Sequence, residues 1–293
     1  MRISTAFQYD SYTADISNSM SRINDLQNQI TTGKRILKPS DDPMGLTSVL
    51  SQTSVQNRLK QYNSNLSGAK TTLQFTDSTL NSVSNIIDSA YSVAVNGANG
   101  TNDAASRGAL ASQISSLQDQ LLNLANAKGA NGQYLFGGQK NASVPFSLNN
   151  NALTYNGDGN PITVESGPTS TLTVNTPGQQ LFQNAYSQLE NLKNYLTGND
   201  TSSISGVSID ALKTIKDTVS QTRGDVGARL QTVSQLSVEN QQRIDELTKS
   251  ISGTQDVDMT QAITQYQLAQ TAYQAALSVA SHGFGLSLMD YIK

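Results

Sequence analysis

Apolar residues recur at intervals of three or four along most of the chain, the spacing that places them on one face of an α-helix. The first such stripe consists of Tyr9, Tyr12, Ile16, Met20, Ile23, Leu26 and Ile30. Gly33 follows it and suits the residue just beyond a helix C-terminus. Pro39 and Pro43 bar the following residues from continuing the helix, so residues 38–43 are predicted to form an ordered loop.

The next segment carries the most regular heptad in the chain. One seam position is occupied by Leu59, Leu66, Leu73, Leu80, Ile87 and Ala94, and the other by Tyr62, Ala69, Thr76, Val83 and Ala90. A 3–4 alternation of this length favours coiled-coil-like packing. After Gly97 and Gly100 a second helical pattern follows, with Leu110, Ile114, Leu117, Leu121 and Leu124. The two segments can form an antiparallel hairpin.

The pattern changes after Gly129 to short runs typical of β-strands, from about Ala142 to Val174. Three short strands are predicted, at 153–155, 162–164 and 172–174. The glycine-rich segment 156–160 lies between the first two and is predicted to be a hairpin turn. This region reads as a small β-rich insertion.

Helical patterns return at 181–196 and, after a predicted polar loop from Thr197 to Ser208, at 209–219 and 226–251. A last helix is predicted from about Met259 to Ala280. Its stripe consists of Ile263, Tyr266, Tyr273 and Leu277, with alanines beside it that permit close helix approach. The tail that follows, from Phe284 to Ile292, is apolar for a chain end.

These patterns predict a mainly α protein: a long coiled-coil-like helical bundle with paired N- and C-terminal helices and a small inserted β domain. Neither terminal stripe can be buried within its own helix, so pairing the two ends solves the burial problem for both. The predicted divisions are a terminal-helix assembly domain (1–42 and 255–293), a helical bundle domain (43–137 and 178–254) and the β-rich insertion (138–177).

Composition excludes several function classes. The 293 residues carry a net charge of −3, which gives no reason to expect nucleic acid, and no apolar run is long enough to predict a membrane span. There is no cysteine and a single histidine, His282, so thiolate sites and histidine-based catalysis have almost no candidates. We therefore expect no enzyme activity, no cofactor and no metal site.

Several short motifs are better explained without chemistry. The adjacent carboxylates Asp41 and Asp42 suit helix capping and turns more than metal binding. Segment 156–160 resembles half of a calcium loop, but Pro161 stands where that loop needs glycine. The adhesion tripeptide 223–225 and the glycosylation patterns at Asn65 and Asn141 are short enough to arise by chance. The remaining signal is interaction through the terminal stripes.

Both ends resemble the bacterial flagellin family. Residues 26–36 and 40–46 resemble the N-terminal flagellin signature with the same spacing throughout, except that Thr31-Thr32 stands where the family usually has serine. Residues 256–277 are similar to the flagellin C-terminal helix. The family positions that match are Gly33, Arg35, Asp41, Asp42, Gly45 and Leu46. The segment 132–138, with Tyr134, Leu135 and Phe136, and the ending 286–292 resemble the hook-associated junction branch of that family rather than filament flagellin.

The resemblance implies a structural flagellar subunit that assembles with itself in a helical ring, with the first hook–filament junction protein below and flagellin above. The terminal helices, through the two stripes, are the expected assembly interface. The resemblance also implies a cytoplasmic export chaperone and type III export to an extracellular flagellum without a cleaved signal peptide. Filament flagellin is the alternative within the family. A secreted coiled-coil adhesin or effector is the distant alternative.

Overall fold

The computed structural model describes the backbone of residues 2–289 and the side chains of residue 7 and residues 9–281. The α-helices are α1 (Arg2–Thr32), α2 (Pro43–Gly97), α3 (Ala104–Ala125), α4 (Gln179–Thr197), α5 (Thr201–Ser203), α6 (Ile209–Gln255) and α7 (Met259–Met289). A π-helical turn (Ile204–Ser208) precedes α6, and the strands are β1 (Phe146–Asn149), β2 (Ala152–Tyr155), β3 (Thr163–Glu165) and β4 (Thr171–Thr173). The predicted fold class is confirmed.

The chain forms two compact units. One comprises the residues up to 57 together with those from 243 onward, and the other comprises residues 58–242. In the first unit α1 packs on α7, so the two chain ends are paired as the stripes predicted. In the second unit α3 packs on α4, and α4 also contacts β2.

The heptad of α2 forms the centre of the second unit's core. Both of its predicted seam positions are buried from Leu59 to Ala94. Leu66, Leu73 and Leu80 are fully enclosed, and each such leucine contributes about 1.5–3 kcal/mol through burial. The same buried cluster takes side chains from α3, α4 and α6.

Two ion pairs within this unit show the direction of α6 relative to α2. Asp77 accepts from Arg223 Nε at 3.0 Å, and Asp88 accepts from Lys216 Nζ at 2.6 Å. The residue further along α2, Asp88, pairs with the earlier residue of α6, Lys216, so the two helices run antiparallel.

The segment from 197 to 255 is more helical than its sequence predicted. The predicted polar loop is helical from Thr201 onward, and the two predicted segments of α6 form one continuous helix. The loop prediction was wrong because polarity alone does not prevent helix formation when residues such as Ile204 are buried. The tripeptide 223–225 therefore lies within α6, and Arg223 pairs with Asp77 of α2.

The insertion contains two separate two-stranded sheets, β1–β2 and β3–β4, both antiparallel. The predicted hairpin turn at 156–160 was wrong, because β2 pairs with β1 rather than with the strand that follows the turn. The true turn is Asn150-Asn151, whose φ values are +49° and +62°. A two-residue hairpin loop with positive φ at both positions matches the right-handed twist of its strands, and asparagine tolerates that conformation better than most residues.

Candidate assembly site

The face of α1 that packs on α7 follows the predicted N-terminal stripe. Ile23 and Leu26 are buried, and Ile16 and Ile30 are half-buried. Met20 belongs to the same predicted stripe but remains 45% exposed. These four isoleucine and leucine side chains are spaced three, four or seven residues apart, which keeps them on one side of the helix.

On α7 the partner face is made largely of alanine. Ala262 and Ala280 are buried, and Ala269 and Ala276 are half-buried. The predicted tyrosines Tyr266 and Tyr273 lie among them and are also half-buried, in a continuous 3–4 spacing from 262 to 280. The small side chains let the two helices approach closely, and the two half-buried tyrosines supply the larger side chains of this face.

Two predicted residues of α7 lie outside the α1–α7 contact. Ile263 and Leu277 are each 42% exposed, and with Met259 they form a second apolar face, which we call the Ile263 face. Leu268 and Val279 are 66% and 58% exposed and lie about three helical turns apart. Together with Ala272 they form a third face of α7, which we call the Leu268 face. A helix that is apolar on several sides is typical of one enclosed by several neighbours. The ending at 286–292 lies outside the described side chains.

A short clasp joins the end of α1 to the junction between α6 and α7. We define the terminal clasp as residues 33–42 with 254–258. Arg35 N donates to Gln255 O at 2.6 Å, and Val257 N donates to Gly33 O at 3.0 Å, which makes a two-bond antiparallel bridge. The Arg35 guanidinium donates to Thr254 O at 2.9 Å through Nη2. Gly33, with φ +70°, is the left-handed residue that ends α1 and turns the chain into the clasp.

Asp41 and Asp42 hold the loop and begin α2. Asp41 Oδ2 accepts from the backbone N–H groups of Lys38 and Leu37, both at 2.9 Å. These two bonds, that from Lys38 first, lower the pKa of the Asp41 carboxyl. Asp42 Oδ1 accepts from Gly45 N at 2.8 Å, as an N-cap does, and Asp42 Oδ2 lies 3.6 Å from Arg35 Nη2. Both carboxylates thus accept hydrogen bonds from backbone N–H groups of the loop and of the first turn of α2.

Sterics explain why position 45 of this motif is a glycine. A Cβ atom on Gly45 would collide with the Asp42 carboxylate and would lie 2.8 Å from Cδ1 of the buried Ile36. Leu46, next along α2, is half-buried. The predicted motif residues Gly33, Arg35, Asp41, Asp42 and Gly45 are thus brought together at the clasp. Sequence reasoning found the residues but not their partners at 254–257, because no local signal marks a contact across more than 200 residues.

The other predicted motif lies in the second unit. Phe136 is fully buried with its ring 4.8 Å from that of Phe182, and Leu135 is buried beside it. Tyr134 is half-buried, and its ring lies 4.7 Å from Lys128 Nζ. These side chains anchor the insertion to α4 and the helical core.

Gly138 is held against a turn that the sequence did not connect to it. Its φ is +67°, and an added Cβ would collide with the backbone and side chain of Asp158. Asp158 N donates to Gly137 O at 3.1 Å, and Asp158 Oδ1 accepts from Gln139 N at 2.6 Å. The Tyr155 hydroxyl donates to Asp158 O at 2.6 Å. We call these contacts the Asp158 lock; they occupy the carboxylate that a calcium loop would have used.

Comparison with known proteins agrees with this architecture. Residues 3–141 match the family model for the bacterial flagellin N-terminal helical region. The flagellar hook-associated protein 3 of Salmonella typhimurium is 29% identical over 318 residues, which span 99% of each chain. Over its whole length the chain is therefore similar to the flagellin-like hook-associated proteins. A flagellin of Aquifex aeolicus is 32% identical, but over only 39% of this chain and 22% of its own.

The fold of the chain also resembles that of a solved structure. The crystal structure of flagellar hook associated protein-3 from Legionella pneumophila superposes with a TM-score of 0.64 at 14% identity, covering 70% of this chain and 98% of that one. The end-to-end match supports the hook-associated branch over filament flagellin, which matches about two fifths of the chain. Within the described residues, none of the helices combines the length and apolarity needed to cross a membrane.

Proposed function

We propose that this chain is the structural subunit that joins the flagellar hook to the filament and carries the flagellin above it. Its role is mechanical rather than enzymatic. The observation that carries the proposal is the pair of exposed apolar faces on α7, in a chain matched from end to end by hook-associated proteins. The partners proposed are copies of itself in a helical ring, the first junction protein below and flagellin above.

The assembly contact is formed by the terminal helices. The α1–α7 contact uses the alanine side of α7 within one subunit, and this leaves the Ile263 face and the Leu268 face available to neighbouring subunits. Burial of these faces contributes roughly 25 cal/mol per Å² of apolar surface removed from water. A contact between two different surfaces, repeated by rotation and rise, builds a helical layer rather than a closed dimer. The residues proposed for this contact include Met20, Ile263 and Leu277.

The remaining expectations complete the proposal. The terminal helices, the bundle and the insertion act as three functional parts, with residues 1–42 and 255–293 as the assembly part. The subunit reaches the outside of the cell by flagellar type III export without a cleaved signal peptide, and a cytoplasmic chaperone covers the apolar faces before export. The exposed Leu268 face is the kind of surface that needs such cover in solution.

The test places a charge on the Ile263 face. Ile263→Asp is tolerated in the free subunit, because the side chain is 42% exposed there. In an assembled layer the carboxylate would be buried without a partner, which costs several kcal/mol. Cells carrying only Ile263→Asp are expected to have hooks without filaments, to release flagellin into the medium and to lose motility.

The matched control is Gln267→Asp, which adds the same charge to the exposed polar side of the same helix. Cells with this variant are expected to swim. Normal filaments in the Ile263→Asp strain, counted by electron microscopy at equal subunit expression, would exclude the Ile263 face as an assembly contact. Long filaments grown from the purified chain alone would instead favour a flagellin role.

A further inference from the structure

A cleft of about 370 Å³ separates α2 from the insertion within the second unit. This volume lies in the range of roughly 300–1,000 Å³ found for small-molecule pockets. One wall is the side of α2 that contains Ser64, Gly68 and Thr72, and the opposite wall comes from the 131–141 loop and from β3. The α1–α7 contact and the terminal clasp have no part in it.

Gly68 keeps the α2 wall of the cleft open. It lies in the middle of a 55-residue helix, where glycine costs roughly 0.5–1 kcal/mol relative to alanine. An added Cβ there would meet no atom within 4 Å, so no close packing requires the glycine. Its structural effect is the space that it leaves beside Thr72 and the opposite wall.

A network of carboxamides organises the opposite wall. Gln133 Oε1 accepts from Asn131 Nδ2 at 2.8 Å and from Asn141 Nδ2 at 3.2 Å. Asn131 Oδ1 accepts in turn from Gln133 N at 3.1 Å. Within the described part of the chain, this arrangement leaves a donor, Gln133 Nε2, and an acceptor, Asn141 Oδ1, without protein partners. The wall is therefore held in place before any ligand arrives.

The chemistry of the lining selects for a neutral ligand. All of the side chains that line the cleft are uncharged, and beside the amides Leu135, Ile162 and Val174 supply an apolar surface. A charged ligand would lose water without gaining an opposite charge, which is unfavourable. Hydroxyl groups can both donate to and accept from carboxamides, and the carbon-bound hydrogens of a sugar ring can lie against the apolar side chains.

We propose that this cleft binds a neutral saccharide of one or two rings, independently of the junction role. Gln133 and Asn141 hydrogen-bond its hydroxyls, and the apolar wall packs against a ring face. Asn65 and Asn141, which match the glycosylation pattern, contribute to the cleft instead: Asn65 Nδ2 donates to Glu165 O at 3.1 Å, and Asn141 Nδ2 to Gln133.

The test uses the purified full-length chain and ligand-observed NMR, followed by calorimetry. The probes are glucose, galactose, N-acetylglucosamine, maltose and lactose, with glucuronate as a charged comparison and a short neutral peptide as a different class. At least one neutral saccharide is expected to bind at up to millimolar concentration. Gly68→Leu, whose Cβ meets no atom within 4 Å, puts an apolar side chain into the cleft and is expected to abolish binding. Gln133→Ala is expected to weaken it up to about tenfold, the value of one hydrogen bond.

Gly227→Leu is the matched control, because Gly227 is another helical glycine with open space around it and it lies outside the cleft. This variant is expected to bind as the unaltered chain does, and thermal melting checks that all variants are folded. The proposal is overturned if no neutral saccharide binds or if Gly68→Leu binds as well as Gly227→Leu. It is equally overturned if glucuronate or the peptide binds more tightly than every neutral saccharide.

Discussion

Replacement of Gly138 by alanine tests whether the Asp158 lock stabilises the second unit. The residue has φ +67°, and a left-handed conformation costs a residue with a Cβ roughly 1–2 kcal/mol. The new Cβ would also collide with the backbone of Asp158, which cannot rotate away as a flexible side chain would. The collision separates Asp158 from Gly137, Gln139 and Tyr155, and each lost hydrogen bond costs about 1 kcal/mol. The total is about 4–5 kcal/mol.

Gly132→Ala isolates the conformational part of this cost. Gly132 has φ +77°, but an added Cβ there meets no atom within 4 Å, so the expected loss is only the roughly 1–2 kcal/mol of the left-handed conformation. Urea unfolding followed by circular dichroism measures both free energies of unfolding. If Gly138→Ala and Gly132→Ala cost the same, the Asp158 lock contributes no stability and the reasoning fails.

Three further predictions concern stability. The Ser106 hydroxyl and N–H donate to Asp103 and lower its carboxyl pKa, so the stability they supply is present above the unfolded pKa and is lost as pH falls below about 4. Asp103→Asn should flatten that acid dependence in urea titrations; an unchanged slope would contradict it. Leu73→Ala should cost about 2–5 kcal/mol, whereas exposed Val238→Ala should change stability by less than about 0.5 kcal/mol. Deletion of residues 140–176 removes buried Phe146 from the shared core, so the unit should melt at lower temperature, and an unchanged melt would show that the insertion is separable.

The helical part of the fold could be predicted because its signals are local and repeated. The α2 heptad and the α1 stripe each place several large apolar side chains at regular intervals. The structure buries the whole α2 heptad and, from the α1 stripe, Ile23 and Leu26, while Tyr9, Tyr12 and Met20 stay exposed. The α7 contact was harder to predict from the sequence, since alanine carries little hydrophobic signal beside Ile263 and Leu277. The structure buries Ala262 and Ala280 and leaves those two larger residues exposed.

Sequence reasoning missed features of two kinds: those in which two segments could form the same turn, and those that join residues far apart in the sequence. Segment 156–160 has the stronger turn composition, but Asn150-Asn151 forms the hairpin because segment 156–160 is used in the Asp158 lock. The glycines at 224 and 227 weaken α6 locally, yet Val226 between them is fully buried and the helix continues. The residues of the terminal clasp were recognised as a motif, but their partners lie at the other end of the chain.

The sequence separation between the two halves of the terminal clasp affects when the clasp forms during folding. Arg35 and Thr254 are 219 positions apart, so their hydrogen bond closes a loop that contains the whole second unit. Contacts between such distant positions form late in folding, because the chain loses the entropy of the loop before it gains the contact. During synthesis the N-terminal half of the clasp must also wait until residues 254–257 have left the ribosome. The clasp therefore closes only in a chain that extends at least to residue 257, and a product truncated before that point cannot form it.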